Sequence, residues 1–326
     1  SLRPVPAGTT ARAIAEQVGP RLARAAVAAR VNGEIWDLER PIKRDTAIEI
    51  LTPESPDALY VLRHSSAHVL ATAVRQLFPD ARIGFGPPID DGFYYDFDIG
   101  RPFTPEDIQK IEERMREVGK ADYPFVREEV SREDARRRFK DDPLKLERLE
   151  ELGDDEIISV YTDGPFVDLC RGPHVPSTGY VKHFKLLHAA GAYWRGDSRR
   201  QMLQRIYGTS YFSKDALEAD LHRREEAEKR DHRVLGKQLD LFSIQEDVGP
   251  GLIFWHPKGA VIQFQLRRLI EDEILKRGYE LVYTPHVTRE SLFYRSGHLP
   301  LYEHNQYPPM GAGAGEGEEV RYRAKP

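Results

Sequence analysis

Between Ala58 and Phe78 the chain reads "ALYVLRHSSAHVLATAVRQLF", without a glycine or a proline, and then stops at Pro79-Asp80. So much Ala, Leu and Val without a breaker predicts a single long helix. His64 and His68 lie four apart in it, so both imidazoles leave the helix on one face. Whatever packs against that face must accommodate two histidines.

The flanking segments predict short elements around this helix. "TARAIAEQVGPRLARAAVAARV" reads as two helical pieces broken at Gly19-Pro20, and "VNGEIWDL" as a hairpin turning at Asn32-Gly33. "TAIEILT" alternates as a strand, and "TPESPD" reads as a linker. Residues 1–53 therefore predict a small α/β module. Further on, "DDGFYYDFD" predicts a turn between strands. "TPEDIQKIEERMREVGK" is a helix capped by Thr104, with Pro105 at its first position and Asp107 reaching back. Ser131 begins another in "SREDARRRF". Ser213 to Leu239 reads as one long polar helix of the kind that connects domains. After it come a strand, an amphipathic helix and a strand ending at Pro285, then a Gly-rich loop leading into a last strand.

The stretch "DLCRGPHVP" holds the only cysteine in 326 residues. One cysteine excludes an internal disulfide and suits a cytoplasmic protein. "GPFVDLC" alternates as a strand, which turns Asp168 and Cys170 to one side, with Val167 and Leu169 opposite. Gly172-Pro173 ends the strand, so Cys170 and His174 sit on a turn. His64, His68, Cys170 and His174 form a donor set that zinc accepts. The same groups also suit hydrolysis without metal, with a histidine moving protons near neutral pH. Cys170 would serve as nucleophile only beside a group that lowers its pKa. Lys145, in "DDPLKLERL", is by charge alone a surface residue. The net charge of −5 announces no nucleic-acid binding, although "RGDSRRQMLQR" is locally basic. No apolar run approaches the roughly 20 residues that span a bilayer, and the N-terminus lacks the apolar segment of a secretory signal.

"RHSSAHVLATAVRQLFPDARIGFGPPIDDGFYYDFD", "DLCRGPHVPSTG", "HFKLLHAAGAYWRGDSRRQMLQRIYGT" and "EEAEKRDHRVLGKQLDLF" resemble the bacterial threonyl-tRNA synthetases. The alanyl-tRNA synthetases share the two histidine-bearing pieces but not "GAYWRGDS" or "RDHRVLGKQLDLF". The resemblance implies a multidomain chain of α/β (α+β) class. Its parts would be a partial TGS domain at 1–53, an editing domain at 54–215 and a linker helix at 216–240. The start of a class II aminoacylation core would follow at 241–326, an antiparallel sheet with motif 1 ending at Pro285. Relative to that family the sequence is expected to be cut at both ends, before motifs 2 and 3 and before the zinc ligands of the parent enzyme.

The family charges tRNA(Thr) with threonine, using ATP, Mg and Zn, and is a homodimer through motif 1. Its editing site hydrolyses seryl-tRNA(Thr) without bound metal. Carried over by motif, the catalytic set is His64, His68, Lys145, Cys170 and His174. Asp168 would contact the substrate amine, Gly86 and Tyr95 would shape the pocket, and Arg171 would bind substrate, with Arg195, Arg199 and Arg200 as further phosphate contacts. Two other readings stay open at this level: a tRNA-binding fragment without activity, and a zinc-dependent deacylase of the alanyl type.

Overall fold

The computed structural model describes residues 4–249, 251–311 and 320–325 in full, and the backbone of Ala312. The chain divides into two compact units, 1–227 and 228–326.

The first unit begins with helices α1 (Ala11–Val18) and α2 (Pro20–Ala25) and strands β1 (Ala28–Val31), β2 (Glu34–Trp36) and β3 (Ile48–Leu51), the sheet running β2-β1-β3. Asn32 and Gly33 both take positive φ, 51° and 91°, as the tight hairpin between β1 and β2 demands. Thr10 caps α1 by accepting from the Ala13 N–H. Ala15, Ala26, Ala29, Val31 and Leu38 form a small core of their own.

Helix α3 (Ala58–Leu77) is the spine of the rest of this unit. It is buried on all sides from Val61 to Val74 apart from His64, as befits a helix apolar round most of its circumference. Its internal hydroxyls turn back on its own carbonyls: Ser65 donates to Val61 at 2.8 Å and Ser66 to Leu62 at 2.8 Å. Strands β4 (Arg82–Ile83), β5 (Pro88–Ile89) and β6 (Gly92–Asp98) come next, then helix α4 (Pro105–Ala121), whose Thr104–Asp107 capping box is complete. Strand β7 (Phe125–Glu129), helices α5 (Arg132–Arg138) and α6 (Pro143–Glu150), and strands β8 (Ser159–Asp163), β9 (Phe166–Leu169), β10 (His183–Tyr193) and β11 (Met202–Tyr211) complete the set. One antiparallel sheet runs β10-β11-β6-β4, with β5 also on β6, and α3 and α4 pack beside it. A second runs β7-β8-β9. Both edge onto a core built from α3, β6 and α4 residues, including Leu62, Leu70, Phe93, Phe97 and Met115.

The polar helix expected to run unbroken from Ser213 to Leu239 is two, α7 (Lys214–Lys229) and α8 (His232–Gln238). Asp231 interrupts it by capping the second, accepting from the Arg233 N–H at 2.7 Å.

The second unit holds strands β12 (Phe242–Ile244) and β13 (Ile253–Trp255), paired together, and helix α9 (Pro257–Lys276). Strand β14 (Val287–Arg289), helix α10 (Ser291–Arg295), and strands β15 (Met310–Ala312) and β16 (Val320–Ala324) come after it, in a sheet ordered β14-β16-β15. The strand expected to end at Pro285 does not form: residues 279–285 have no regular structure, and Val282 and Tyr283 are 80% and 91% exposed. Among the described residues no neighbour pairs with this segment, and a strand without a partner gains nothing from its β-propensity. Most of the Gly-rich stretch, 313–319, lies outside the described residues.

Candidate active site

Five elements of the first unit bring polar groups to one place. Helix α3 supplies His64 and His68, β6 supplies Tyr95, α6 supplies Lys145, β9 supplies Asp168, and the turn after β9 supplies Cys170 and His174. A cavity of about 390 Å3 opens against His64, His68, Tyr95, Asp168, Cys170 and Arg171, a size usual for a small-molecule site. Gly86 lines it too, and it must be glycine: a Cβ there would lie 2.2 Å from the Tyr94 carbonyl oxygen and 2.4 Å from Tyr95 Cδ2. Lys145 and His174 are not at the cavity surface. They stand behind Asp168 and Cys170 respectively.

Asp168 is the hub. It is 1% exposed, and it forms an ion pair with the Lys145 ammonium. The Tyr95 hydroxyl donates to its Oδ2 at 2.5 Å, and Lys145 Nζ donates in turn to the Tyr95 oxygen at 3.0 Å. Burial by itself raises the Asp168 pKa, but Lys145, His68 and Tyr95 together hold it below the ordinary carboxylate value. His68 Nε2 lies 3.6 Å from Asp168 Oδ2, and its Nδ1 is buried without a hydrogen-bond partner among the described residues. Lys145 is only 4% exposed, against the surface position that its charge suggests. Asp142, accepting from the Lys145 N–H, and Pro143 start helix α6 so that Lys145 faces inward.

The hydrogen bonds fix two histidine tautomers. His64 Nδ1 lies 3.2 Å from the Pro173 carbonyl, which can only accept, so Nδ1 carries the hydrogen and Nε2 is bare. His174 Nδ1 lies 3.2 Å from Ser65 Oγ, whose own hydrogen goes to Val61. His174 therefore also donates through Nδ1 and leaves Nε2 bare. Both bare nitrogens face Cys170 Sγ, at 3.3 and 3.4 Å, and that thiol has one hydrogen to give. Burial depresses the pKa of His64 to about 4 and of His68 to about 3, and puts His174 well below its ordinary value. The same burial, with Asp168 nearby, pushes the Cys170 thiol up. At neutral pH the cluster is three neutral imidazoles around a protonated thiol, which suits a base and not a thiolate nucleophile.

Arg171 sits at the cavity rim, paired at 2.5 Å with Glu156. Arg195, Arg199 and Arg200 pair with Glu147, Asp197 and Glu147. A phosphate would have to exchange with these carboxylates.

Several supporting groups carry no signal in the sequence. Asp37, just beyond strand β2, accepts from the His174 N–H at 2.8 Å and from the Tyr161 hydroxyl at 2.6 Å. Asp163 is fully buried and accepts from the Thr72 hydroxyl at 2.5 Å, a hydroxyl that also lies 2.9 Å from the His68 carbonyl. Burial raises the Asp163 pKa, with the Thr72 hydrogen bond opposing the shift. Ser65 also supports the site, but it differs from these two in having a local signal, its place next to His64 in "RHSSAH".

The TGS domain matches residues 2–52, and the Threonyl and Alanyl tRNA synthetase second additional domain matches residues 158–207, which carry Asp168, Cys170, Arg171 and His174. Fold and site thus define a chain of the class that joins these two domains. The threonine–tRNA ligase of Geobacter sp. (strain M21) is 50% identical over 309 residues, 94% of this chain and 48% of that protein. That of Enterococcus faecalis (strain ATCC 700802 / V583) is 50% identical over 317 residues, 97% of this chain and 49% of its own length. The chain belongs to the bacterial threonyl-tRNA synthetase family, and it spans about half the length of the curated relatives it matches. Among the described residues no helix is long and apolar enough to cross a membrane.

Proposed function

We propose that this chain carries a working proofreading site that hydrolyses seryl-tRNA(Thr), in a protein whose whole length charges tRNA(Thr) with threonine using ATP and Mg. The observation that carries it is the meeting of a bare, neutral His64 Nε2 with the Asp168 carboxylate at one cavity of about 390 Å3. Serine lacks one methyl of threonine, worth only about 1–3 kcal/mol of discrimination, so a second sieve is needed that admits serine and crowds out the methyl. Gly86 and Tyr95 form the close wall on which such crowding depends.

In this reading Asp168 takes the ammonium of the amino acid while Lys145 and Tyr95 hold the carboxylate in place. His64 accepts a proton from water at the ester, with the leaving ribose oxygen protonated in turn. Lys145 balances charge from behind Asp168. Cys170 supports the histidines through its single hydrogen and does not attack. The editing step runs without metal. The 1–53, 54–215, 216–240 and 241–326 boundaries then correspond to TGS, editing, linker and catalytic-core segments. Homodimerisation through α9 is supported by its exposed Val261, Phe264, Leu266, Leu269 and Ile270. A cytoplasmic location accords with the same role.

A second reading rests on the ligand atoms of His64, His68, Cys170 and His174 lying within 4.8 Å of one another. These residues would hold zinc, which supplies Lewis acidity at such a site. Paired deacylation of seryl- and threonyl-tRNA(Thr) by the purified chain, with elemental analysis, decides among the readings. Serine release well above the spontaneous rate, lost in His64→Ala with tRNA binding retained, is expected. Release at the spontaneous rate would leave only a tRNA-binding fragment. Stoichiometric zinc abolished by Cys170→Ser would overturn the metal-free reading.

A further inference from the structure

His174 is gripped from four directions. Its ring lies between Phe125, stacked at 4.7 Å, and Tyr161, edge-on at 4.6 Å, and its Nδ1 donates to Ser65. Its backbone N–H goes to Asp37 Oδ1 at 2.8 Å. Of these four groups only Asp37 comes from the residues matched by the TGS domain. Asp37 also takes the Tyr161 hydroxyl on its other oxygen, at 2.6 Å. That hydroxyl lies over Gly172, where a Cβ would stand 1.9 Å from it, and Gly172 holds φ at +72°. The carboxylate thus ties the turn carrying Cys170 and His174 to strand β8 from outside the domain that contains both.

A second cavity of about 440 Å3, which shares no lining residue with the reactive pocket, is lined by Asp37, Phe125 and His174. A turn released from Asp37 has room to move into it and to carry His174 Nε2 off the Cys170 sulfur.

We propose that Asp37 is a positioning residue for the hydrolytic site, through which the TGS module holds the Cys170–His174 turn in register; the catalytic part of this inference rests on the editing reading. It acts through His174 and Tyr161 and touches no substrate.

Two measurements on the full chain test it. The first is kcat and KM for seryl-tRNA(Thr) deacylation. The second needs no activity: the alkylation rate of Cys170 by iodoacetamide, which reports one sulfur because the chain has one cysteine. Asp37→Ala is expected to lower kcat about 10-fold or more with KM within about two-fold, since small misplacements of a reacting group cost this much. It is also expected to speed Cys170 alkylation about 10-fold. Asp37→Asn keeps an acceptor for the His174 N–H and is expected within about three-fold of the parent in both assays. Tyr161→Phe drops only the bond to Oδ2 while keeping the ring against His174, and guards against an alanine variant that fails to fold. It is expected to move alkylation in the same direction. Unchanged alkylation in folded Asp37→Ala and Tyr161→Phe would overturn the proposal, as would a rise in KM at constant kcat. A parent chain without deacylation sinks the editing reading, while alkylation still decides whether Asp37 holds the turn.

Discussion

Removing the ammonium of Lys145 while keeping its bulk, as in Lys145→Met, leaves Asp168 buried with Tyr95 as its remaining hydrogen-bond donor. Asp168 is 1% exposed and Lys145 4%, so water cannot replace the lost charge without opening the site. Breaking a buried pair from one side costs about 3–5 kcal/mol, far above the cost for an exposed pair. For a cooperative unit of this size that corresponds to roughly 10 °C in the melting temperature. The pH dependence is a second signature. In the parent chain Asp168 titrates below the ordinary carboxylate value, so its contribution is complete at neutral pH and is lost only as pH falls through that depressed value. In the variant, burial acts without Lys145 and raises the Asp168 pKa. Protonation then stabilises the folded form, and the deficit narrows as pH is lowered from about 8 to about 5. Urea denaturation of Lys145→Met, Asp168→Asn and the double variant, across that range, closes the cycle. A coupling of about 2 kcal/mol or more is expected. A loss below about 1 kcal/mol in Lys145→Met, with no change in the deficit on acidification, would refute the claim that this pair is a buried one.

The same geometry sets two further outcomes. His64, His68 and His174 are all held neutral by burial, so their contribution to stability is complete above about pH 6.5 and is lost as pH falls towards about 4 for His64 and about 3 for His68. Denaturation midpoints between these limits should show extra proton uptake on unfolding, and His68→Gln should flatten the slope by up to about 1.4 kcal/mol per pH unit; an unaltered slope would count against burial as the cause. Gly86→Ala drives a Cβ into the Tyr94 carbonyl and the Tyr95 ring. It should cost about 1–3 kcal/mol by overpacking and cut deacylation by displacing Tyr95 from Asp168, and wild-type values for both would show that β6 can yield.

What the sequence makes legible is local. Asn32-Gly33 announces its hairpin because only such residues tolerate two successive positive φ angles. Thr104 and Asp107 announce a helix start because the capping box satisfies its own donors. Alternation puts Asp168 inside and Val167 outside, and Val167 is 38% exposed. What stays hidden depends on partners distant in the chain. Lys145 reads as a solvated charge until Asp168 and Tyr95 stand beside it. Asp37 lies 137 residues from His174 in sequence, in a segment whose pattern gives no sign of the site. The segment before Pro285 has the composition of a strand, but no neighbour in the described residues completes it. The spacing around Cys170 leaves its role open between ligand, nucleophile and neither; its single hydrogen between two bare nitrogens supplies a geometry for the last.

The spacing of His64 and His68 also sets a limit on how such a chain can vary in length. Each residue of an α-helix turns the chain by about 100° and advances it about 1.5 Å. One residue inserted between them would swing His68 from the side of Asp168 into the packed core and rotate every buried position after it, Thr72 included. The loops joining the strands around the site can lengthen or shorten at modest entropic cost. Helix α3 cannot, so deletions and insertions tolerated in this fold should fall almost anywhere but between Val61 and Val74.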